Sequence, residues 1–581
     1  VSMIELLAIL KEKDVELSVK GDQLVVSGKR QSLTEPAVLA MLRENKAALI
    51  ELINAGEYSS GKAGRVEIPD PAIPPGCERI TADMLPLVKL DQAAIDHIVA
   101  TVPGGAGNVQ DIYPLAPLQE GILYHHIAAQ QGDPYVLQAQ FAFASRARFD
   151  EFSRALQHVV DRHDILRTSV VWAGLDEPVQ VVWRQARLVL TEIDIDPAAG
   201  AATEQLKQRF DPRHYRLDIS QAPLLRLAFT HDVVNRRWVA MLLFHHIAID
   251  HAALEVVQQE VQAHLDGQVG MLGVPVPYRN YVAQARFGVG GERHEAFFRE
   301  MLGDVDEPTL PFGLQNVRGD GRGIEEASLP LAADLSRRLR VQTRQQGVSA
   351  ASLHHLAWAQ VLGRLCGRDD VVFGTVLLGR MQGSEGVERA LGMFINTLPL
   401  RVAVGAQDVR AAVKATHVRL TALLGHEHAS LAQAQRCSGV AAPTPLFNAL
   451  LNYRHSTLAA SDEAIQLWEG IEVLGGEERT NYPLILSLDD LGEGFTLNVQ
   501  VVAGIGAQRI CGYMRTALEQ LVQALEQAPT TALNRLPILP ADEREQLLVG
   551  FNNTALEYPQ AQTIHGLFEA QVRRTPDALA V

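Results

Sequence analysis

The residues Trp238-Val239-Ala240-Met241-Leu242-Leu243 form an unbroken apolar run that ends in Phe244-His245-His246-Ile247-Ala248-Ile249-Asp250-His251. A short apolar run of this kind reads as a buried strand. Ala252-Ala253-Leu254-Glu255-Val256-Val257 then opens a helical pattern. Two histidines and an aspartate therefore fall where a core strand stops and a helix starts. A rigid element holds them there while the adjoining loop can open to substrate. Successive side chains of a strand face opposite ways, so one of His245 and His246 can point into a cleft while the other supports the structure.

At 581 residues the chain exceeds one ordinary domain and can build several cores. The apolar fraction of 47% and charged fraction of 21% are those of a globular protein. A formal net charge of -16 argues against a nucleic-acid binder that relies on a broad basic surface. No uninterrupted apolar segment approaches the roughly 18 residues that cross a bilayer, so no membrane partner is expected. Residues 1–10 carry Glu5 and lead into Lys11-Glu12-Lys13, unlike a signal peptide. Cys77, Cys366, Cys437 and Cys511 lie far apart without metal-ligand spacing, which fits buried thiols in a reducing cytoplasm.

Residues 1–57 read as a small α+β unit. Strands are expected at Val15–Lys20 and at residues 23–27, and a helix over 37–53 with Lys46 and Glu51 outward. Residues 58–107 read as a Gly-, Ser- and Pro-rich linker with a short helix over 91–102. Mixed strand and helix patterns then run to about residue 527. They include a helix over 149–160, strands over 224–229 and 238–244, helices around 286–302 and 349–366, and a core strand over 371–378. More than 400 residues of this pattern imply two α/β lobes, at 108–275 and 276–540. Residues 541–581 look like the beginning of something longer, with a helix over 564–572.

Histidine pairs occur at 125–126, 245–246 and 354–355, and only the middle pair has an aspartate four positions on and a strand before it. Adjacent strand positions diverge and no third ligand has suitable spacing, so no metal is expected. Asp250 is expected to form a buried ion pair with an arginine and so fix the His246 loop. An inert buried cluster is the competing reading of these residues. GxSxG, GxxxxGK[ST] and HExxH motifs are absent, and His426-Glu427-His428 is spaced too tightly for the last of these.

His245-His246-Ile247-Ala248-Ile249-Asp250 resembles the HHxxxDG signature of condensation domains in nonribosomal peptide synthetases, with His251 in place of the glycine. Tyr113-Pro114-Leu115-Ala116-Pro117-Leu118-Gln119-Glu120-Gly121, Arg162-His163-Asp164-Ile165-Leu166-Arg167-Thr168, Tyr278-Arg279-Asn280-Tyr281 and the segment from Gly392-Met393-Phe394 to Arg401 resemble further motifs of that family, in its order. The resemblance implies an α/β fold: two chloramphenicol-acetyltransferase-like lobes in a V-shaped pseudodimer. A tunnel between them would admit two phosphopantetheine arms from opposite faces. Residues 1–57 are similar to the docking domain that begins some synthetase subunits, and residues 541–581 to the linker and start of an adenylation domain. Val1-Ser2-Met3 reads as an expression remnant.

By the same resemblance the activity is amide-bond formation between a thioester-bound acyl or peptidyl donor and a carrier-bound aminoacyl acceptor. His246 would position the acceptor amine and assist proton transfer, which suits an α-amino group that is partly neutral near pH 7. His245 and Asp250 would shape the site. Arg380 is the expected salt-bridge partner of Asp250, and His251 brings a bulkier neighbour to the turn. His125-His126 through Gly132-Asp133 fits the HH[IL]xxxxGD pattern of dual epimerisation/condensation domains, with His125 or His126 as the donor's α-proton base. A starter domain taking a fatty acyl group from a carrier or from acyl-CoA, and a catalytically silent docking module, are the alternatives. The chain itself would bind no cofactor. Its partners would be upstream and downstream peptidyl carrier domains, the upstream subunit's docking peptide and the adjacent adenylation domain. An acidic carrier would need a positive face, for which Arg337, Arg338 and Arg340 are the candidates.

Overall fold

The computed structural model describes residues 15–20, 23–28, 42, 46, 49, 68–129, 131–288, 290–314, 323–379, 390–455, 469–477, 482–557 and 560–579. Val15–Lys20 and Gln23–Gly28 form an antiparallel hairpin, as the alternating pattern predicts. Leu42 and Leu49 are helical and buried, and Lys46 is exposed. Glu51 lies outside the described residues.

Three further sheets organise residues 109–502. One has five strands in the order Ile471–Glu477, Val136–Phe143, Arg237–His245, Leu225–Asp232, Val189–Glu192. The second has six, in the order Ile324–Pro330, Phe495–Val502, Leu484–Asp490, Ala449–His455, Asp370–Leu377, Asn396–Ala403. The third joins Val109–Pro114, Val179–Trp183 and Thr168–Val171. Helices pack on these sheets. Arg146–Arg162 lies beside His251–Leu265, and Ala350–Cys366 beside Val409–Leu424 and Ala507–Gln527.

The five-stranded sheet takes one edge strand from far along the chain. Ile471–Glu477 runs antiparallel to Val136–Phe143, with Ile471 opposite Phe143. One apolar cluster accordingly contains Phe141, Phe152, Leu242 and Ile249 together with Tyr278, Met393, Phe394 and Ile471. Nearly complete burial of aromatic and aliphatic side chains contributes about 1.5–3 kcal/mol each relative to exposure. Contacts between residues this distant in sequence are thus strongly favoured.

Two sequence expectations change. Residues 58–107 are expected to be linker and a short helix, on a Gly-, Ser- and Pro-rich composition over 55–79, yet from residue 68 onward this stretch is packed structure. Ile73, Ile80, Leu85, Ile95 and Ile98 are buried against Val109, Ile112, Val179 and Trp183. Prolines punctuate it without loosening it, because apolar residues between them find a sheet to cover. The single helix expected around 286–302 is two, Tyr278–Phe287 and Gly291–Leu302, broken at a glycine-rich junction. The short helix at Gln92–Thr101 is present, capped by the Asp91 carboxylate.

Residues 539–581 form a separate compact unit. Its helix Ile564–Arg574 starts at a Thr563 cap and exposes Ile564, Leu567, Phe568 and Val572. Among the described residues no helix is long and apolar enough to cross a membrane.

Candidate active site

The strand Arg237–His245 is central in its sheet, and its register sets the site. Val136 lies opposite His245, and Phe244 lies between Leu137 and Leu225. The chain leaves the sheet after His245, and Asp250 caps the helix His251–Leu265 by accepting the Ala253 N–H at 2.8 Å. From Met241 to Asp250 every residue is buried except His246, which is half-buried. The strand-end divergence expected from the sequence is therefore realised: His245 faces the interior at 0% exposure and His246 reaches solvent.

Hydrogen-bond partners fix the tautomers. His246 Nδ1 lies 2.8 Å from the Ile249 carbonyl, which can only accept, so Nδ1 carries the proton. Nε2 then keeps its lone pair, and the side-chain hydrogen bond described for this ring is the one at Nδ1. His245 Nδ1 accepts the Ile247 N–H at 3.1 Å, so its proton sits on Nε2, 3.0 Å from Asp133 Oδ2. Burial pushes the His245 imidazole down, and the Asp133 carboxylate opposes that only in part. His126 Nδ1 reaches the same Asp133 oxygen at 2.5 Å. Burial alone would raise the Asp133 carboxyl, but hydrogen bonds from His126 and His245 hold it well below the ordinary range.

His126, Asp133 and His245 thus form a buried group of metal-ligand types that linear spacing did not reveal. Its hydrogen bonding does not suit a metal. Coordination through His245 Nε2 would require the proton on Nδ1, where it would meet the Ile247 N–H.

Asp133 owes its place to the glycine before it. Gly132 has φ +68°, and a Cβ there would run into the carbonyls of Pro212 and Arg213. The Asp133 N–H donates to the Pro212 carbonyl at 2.7 Å. The Gly-Asp pair in the sequence pattern therefore has a geometric cause.

The remaining motif residues clamp this centre. Gln119 donates to the Ile247 carbonyl at 2.8 Å, tying Pro117–Ala128 to the histidine turn. Asp164 accepts the Tyr278 N–H, and the Tyr278 hydroxyl donates to the Met393 carbonyl at 2.7 Å. His163 bonds Glu260 on the helix that Asp250 caps, at 2.8 Å. Arg279 makes a buried ion pair with Asp111 at 2.6 Å. Asp250 Oδ2 accepts the Phe394 N–H at 3.0 Å, and the Asp250 N–H donates to the Gly392 carbonyl. Gly392 has φ +153° and sits against the Tyr278 ring, so a side chain there would collide with it. Asn396 and Arg401 of the same motif hold neighbouring segments. Asn396 donates to the carbonyls of Glu427 and Ala429, and Arg401 pairs with Asp370 and Asp304.

Not every expected site residue can be placed. Arg380 lies outside the described residues. Asp250's described side-chain partners are the backbone N–H groups of Ala253 and Phe394. His251 is the first residue of its helix, a right-handed position at which backbone conformation does not require glycine; its side chain lies outside the described residues. His125 is half-buried between the rings of Tyr124 and Tyr135, apart from the Asp133 group that takes in its neighbour. Arg337, Arg338 and Arg340 form no free positive face. They pair with Asp334, Glu526 and Asp490, so their charges are largely offset. Asp133 and the Gly392–Phe394 backbone were missed as site elements. Only the family-like pattern around 132–133 and 392–394 marked them.

The condensation-domain family matches residues 109–548. The chain is 49% identical over 529 residues to malpinin synthetase and 48% identical over 515 residues to malpibaldin synthetase, both of Mortierella alpina. These alignments cover 91% and 87% of this chain but 7% and 9% of those proteins, so the chain spans under a tenth of their length. Among solved structures it is similar in fold to the EpoB cyclization-docking bidomain of Sorangium cellulosum. The TM-score is 0.57 at 17% identity, over 91% of this chain and 99% of that one. The chain belongs to the condensation-domain family of nonribosomal peptide synthetases. It is a condensation-domain enzyme with the amide-bond-forming activity typical of that family.

Proposed function

We propose that His246 is the catalytic imidazole of this domain, holding the acceptor amine at Nε2 and taking up its proton as the amide forms. One observation carries this reading: in the buried run 241–250 only His246 reaches solvent, and its Nδ1–H bond to Ile249 leaves Nε2 as an acceptor. An amine attacking a thioester develops positive charge on nitrogen, and an oriented lone pair stabilises it. As the C–N bond forms the thioester C–S bond breaks, and the proton taken up at Nε2 passes to the departing phosphopantetheine thiolate. His245 and Asp250 would act by position, one beneath the turn and the other fixing its exit to Gly392–Phe394. Arg380 and His251 are retained as supporting residues.

The reactants would arrive on phosphopantetheine arms of upstream and downstream carrier domains, through a tunnel between two chloramphenicol-acetyltransferase-like lobes at 108–275 and 276–540. Residues 1–57 would dock an upstream subunit's C-terminal peptide, a reading supported by the hairpin at 15–28 and by coverage of a cyclization-docking bidomain. Residues 541–581 would lead into an adenylation domain, with cytoplasmic synthesis. For subtype, the dual epimerising type is favoured over the starter type by the 125–133 pattern. It is supported by His126, whose Nδ1–H rests on a carboxylate, leaving Nε2 as the ring's basic nitrogen.

The test offers wild type and His246→Ala three matched carrier-bound donors: L-aminoacyl deuterated at the α-carbon, D-aminoacyl and fatty acyl. Amide formation should fall at least about 100-fold in the variant. Wild type should wash deuterium out of the L donor before product appears. Unchanged turnover in the variant would remove His246 from the chemistry. A preference for the fatty acyl donor without wash-out would make this a starter domain.

A further inference from the structure

We infer that Asp133 is a positioning residue for the amide-forming reaction: one carboxylate sets the tautomer of His126, accepts the Nε2–H of His245 and holds the backbone of His246 through Tyr135. The inference rests on His246 being the reacting imidazole.

Both oxygens of Asp133 are committed. Oδ2 takes N–H bonds from His126 Nδ1 at 2.5 Å and His245 Nε2 at 3.0 Å. Oδ1 accepts the Tyr135 N–H at 2.9 Å. The Tyr135 carbonyl in turn accepts the His246 N–H at 2.8 Å. Asp133 therefore lies one residue from the main chain that carries His246, and on the ring of the residue beside it. The carboxylate is itself held by the backbone bond to Pro212.

Three donors converge on one acceptor group, and this makes the charge state matter. Asparagine has the same shape but one oxygen. With its oxygen toward the histidines, its NH₂ faces the Tyr135 N–H. With the amide reversed, its NH₂ faces His245 Nε2–H, which cannot shift its proton because Nδ1 already receives the Ile247 N–H. Neither orientation satisfies all three donors. His126 alone is free to move its proton to Nε2, since the hydrogen bond described for its ring is the one at Nδ1. Asp133→Asn is thus expected to disturb the His246 turn and to scramble the His126 tautomer.

The experiment uses the full chain. Long-range ¹H–¹⁵N spectra of histidine-labelled wild type should show His126 protonated on Nδ1 and His245 on Nε2. In Asp133→Asn the His126 signals should shift toward the Nε2–H form. Turnover with carrier-bound substrates should fall about 10–100-fold, the usual effect of removing a carboxylate that orients a histidine. KM should move less than about threefold, because the Asp133 side chain is buried and out of reach of substrates arriving from solvent. Turnover within about twofold of wild type, or a loss matched by KM, overturns the inference. So does a wild-type His126 protonated on Nε2. Should Asp133→Asn not fold, His126→Gln and His126→Leu provide the comparison. The Gln amide can still donate to Asp133 and the Leu side chain cannot, so the Leu variant should turn over at least about fivefold slower. Equal rates overturn the inference. If His246→Ala keeps full turnover, the reading of His246 fails instead, while the tautomer spectra still report on Asp133.

Discussion

His245-His246 and His354-His355 are the same dipeptide placed in two settings. The first pair sits at the end of a central strand, where one ring is fully buried and the other opens to solvent. The second pair lies in the helix Ala350–Cys366, where residues 352–363 are all buried. There each Nδ1 donates to the carbonyl four residues back, and His355 Nε2 meets the Thr375 hydroxyl at 2.7 Å. Burial pushes both of these imidazoles down to about 4, so they are neutral core groups near pH 7. Chemistry is therefore not a property of the dipeptide. It requires an oriented ring with one nitrogen occupied and the other open to solvent, which the strand end provides and the buried helix does not.

The comparison breaks if His246 behaves like a core histidine. His246→Ala should lower turnover about 100- to 10,000-fold, roughly 3–5 kcal/mol of barrier, with little change in urea unfolding. His355→Ala should do the reverse. It leaves a cavity and a Thr375 hydroxyl without its partner, so unfolding in urea should show a loss of about 2–4 kcal/mol, with turnover per folded molecule within about twofold. A catalytic collapse in His355→Ala without destabilisation would contradict the contrast. Asp250→Asn should fall between the two. An amide there faces either the Phe394 or the Ala253 N–H, for a stability loss of about 1–3 kcal/mol and a tenfold slower reaction at most about.

A further effect is in pH. His354 and His355 titrate near 4 when folded and near 6.5 when unfolded, so between those values the unfolded chain binds more protons. Stability should therefore fall as pH drops from about 6.5 to about 4, by up to about 1.4 kcal/mol per pH unit for each ring. Denaturant titrations across this window should show a shallower slope in His355→Ala. A slope unchanged in that variant would mean the ring is not held neutral.

Much of the site's local form was legible. The strand over 238–244 is there, one residue longer at each end, and the helix after Asp250 begins where the pattern changes period. Alternation along the strand sufficed to separate His245 from His246. The expected ion pair of Asp250 concerns Arg380, outside the described residues. Among the described residues Asp250 accepts two backbone N–H groups, one from its own helix and one from Phe394, 144 residues on. Sequence periodicity describes a side chain's face, not the distant backbone that will arrive there. The positive face expected of Arg337, Arg338 and Arg340 failed for the same reason, since Glu526 and Asp490 are brought to it from elsewhere.

The chain's order of residues by itself determined a core strand ending in a histidine pair, the divergence of those two rings, and the family to which the motifs belong. Tertiary structure decided that Asp133, 112 residues before His245, shares one oxygen between two imidazoles. The reason is register: Val136 lies opposite His245 because the apolar faces of both strands must enter the same core, and that pairing carries Asp133 to the ring.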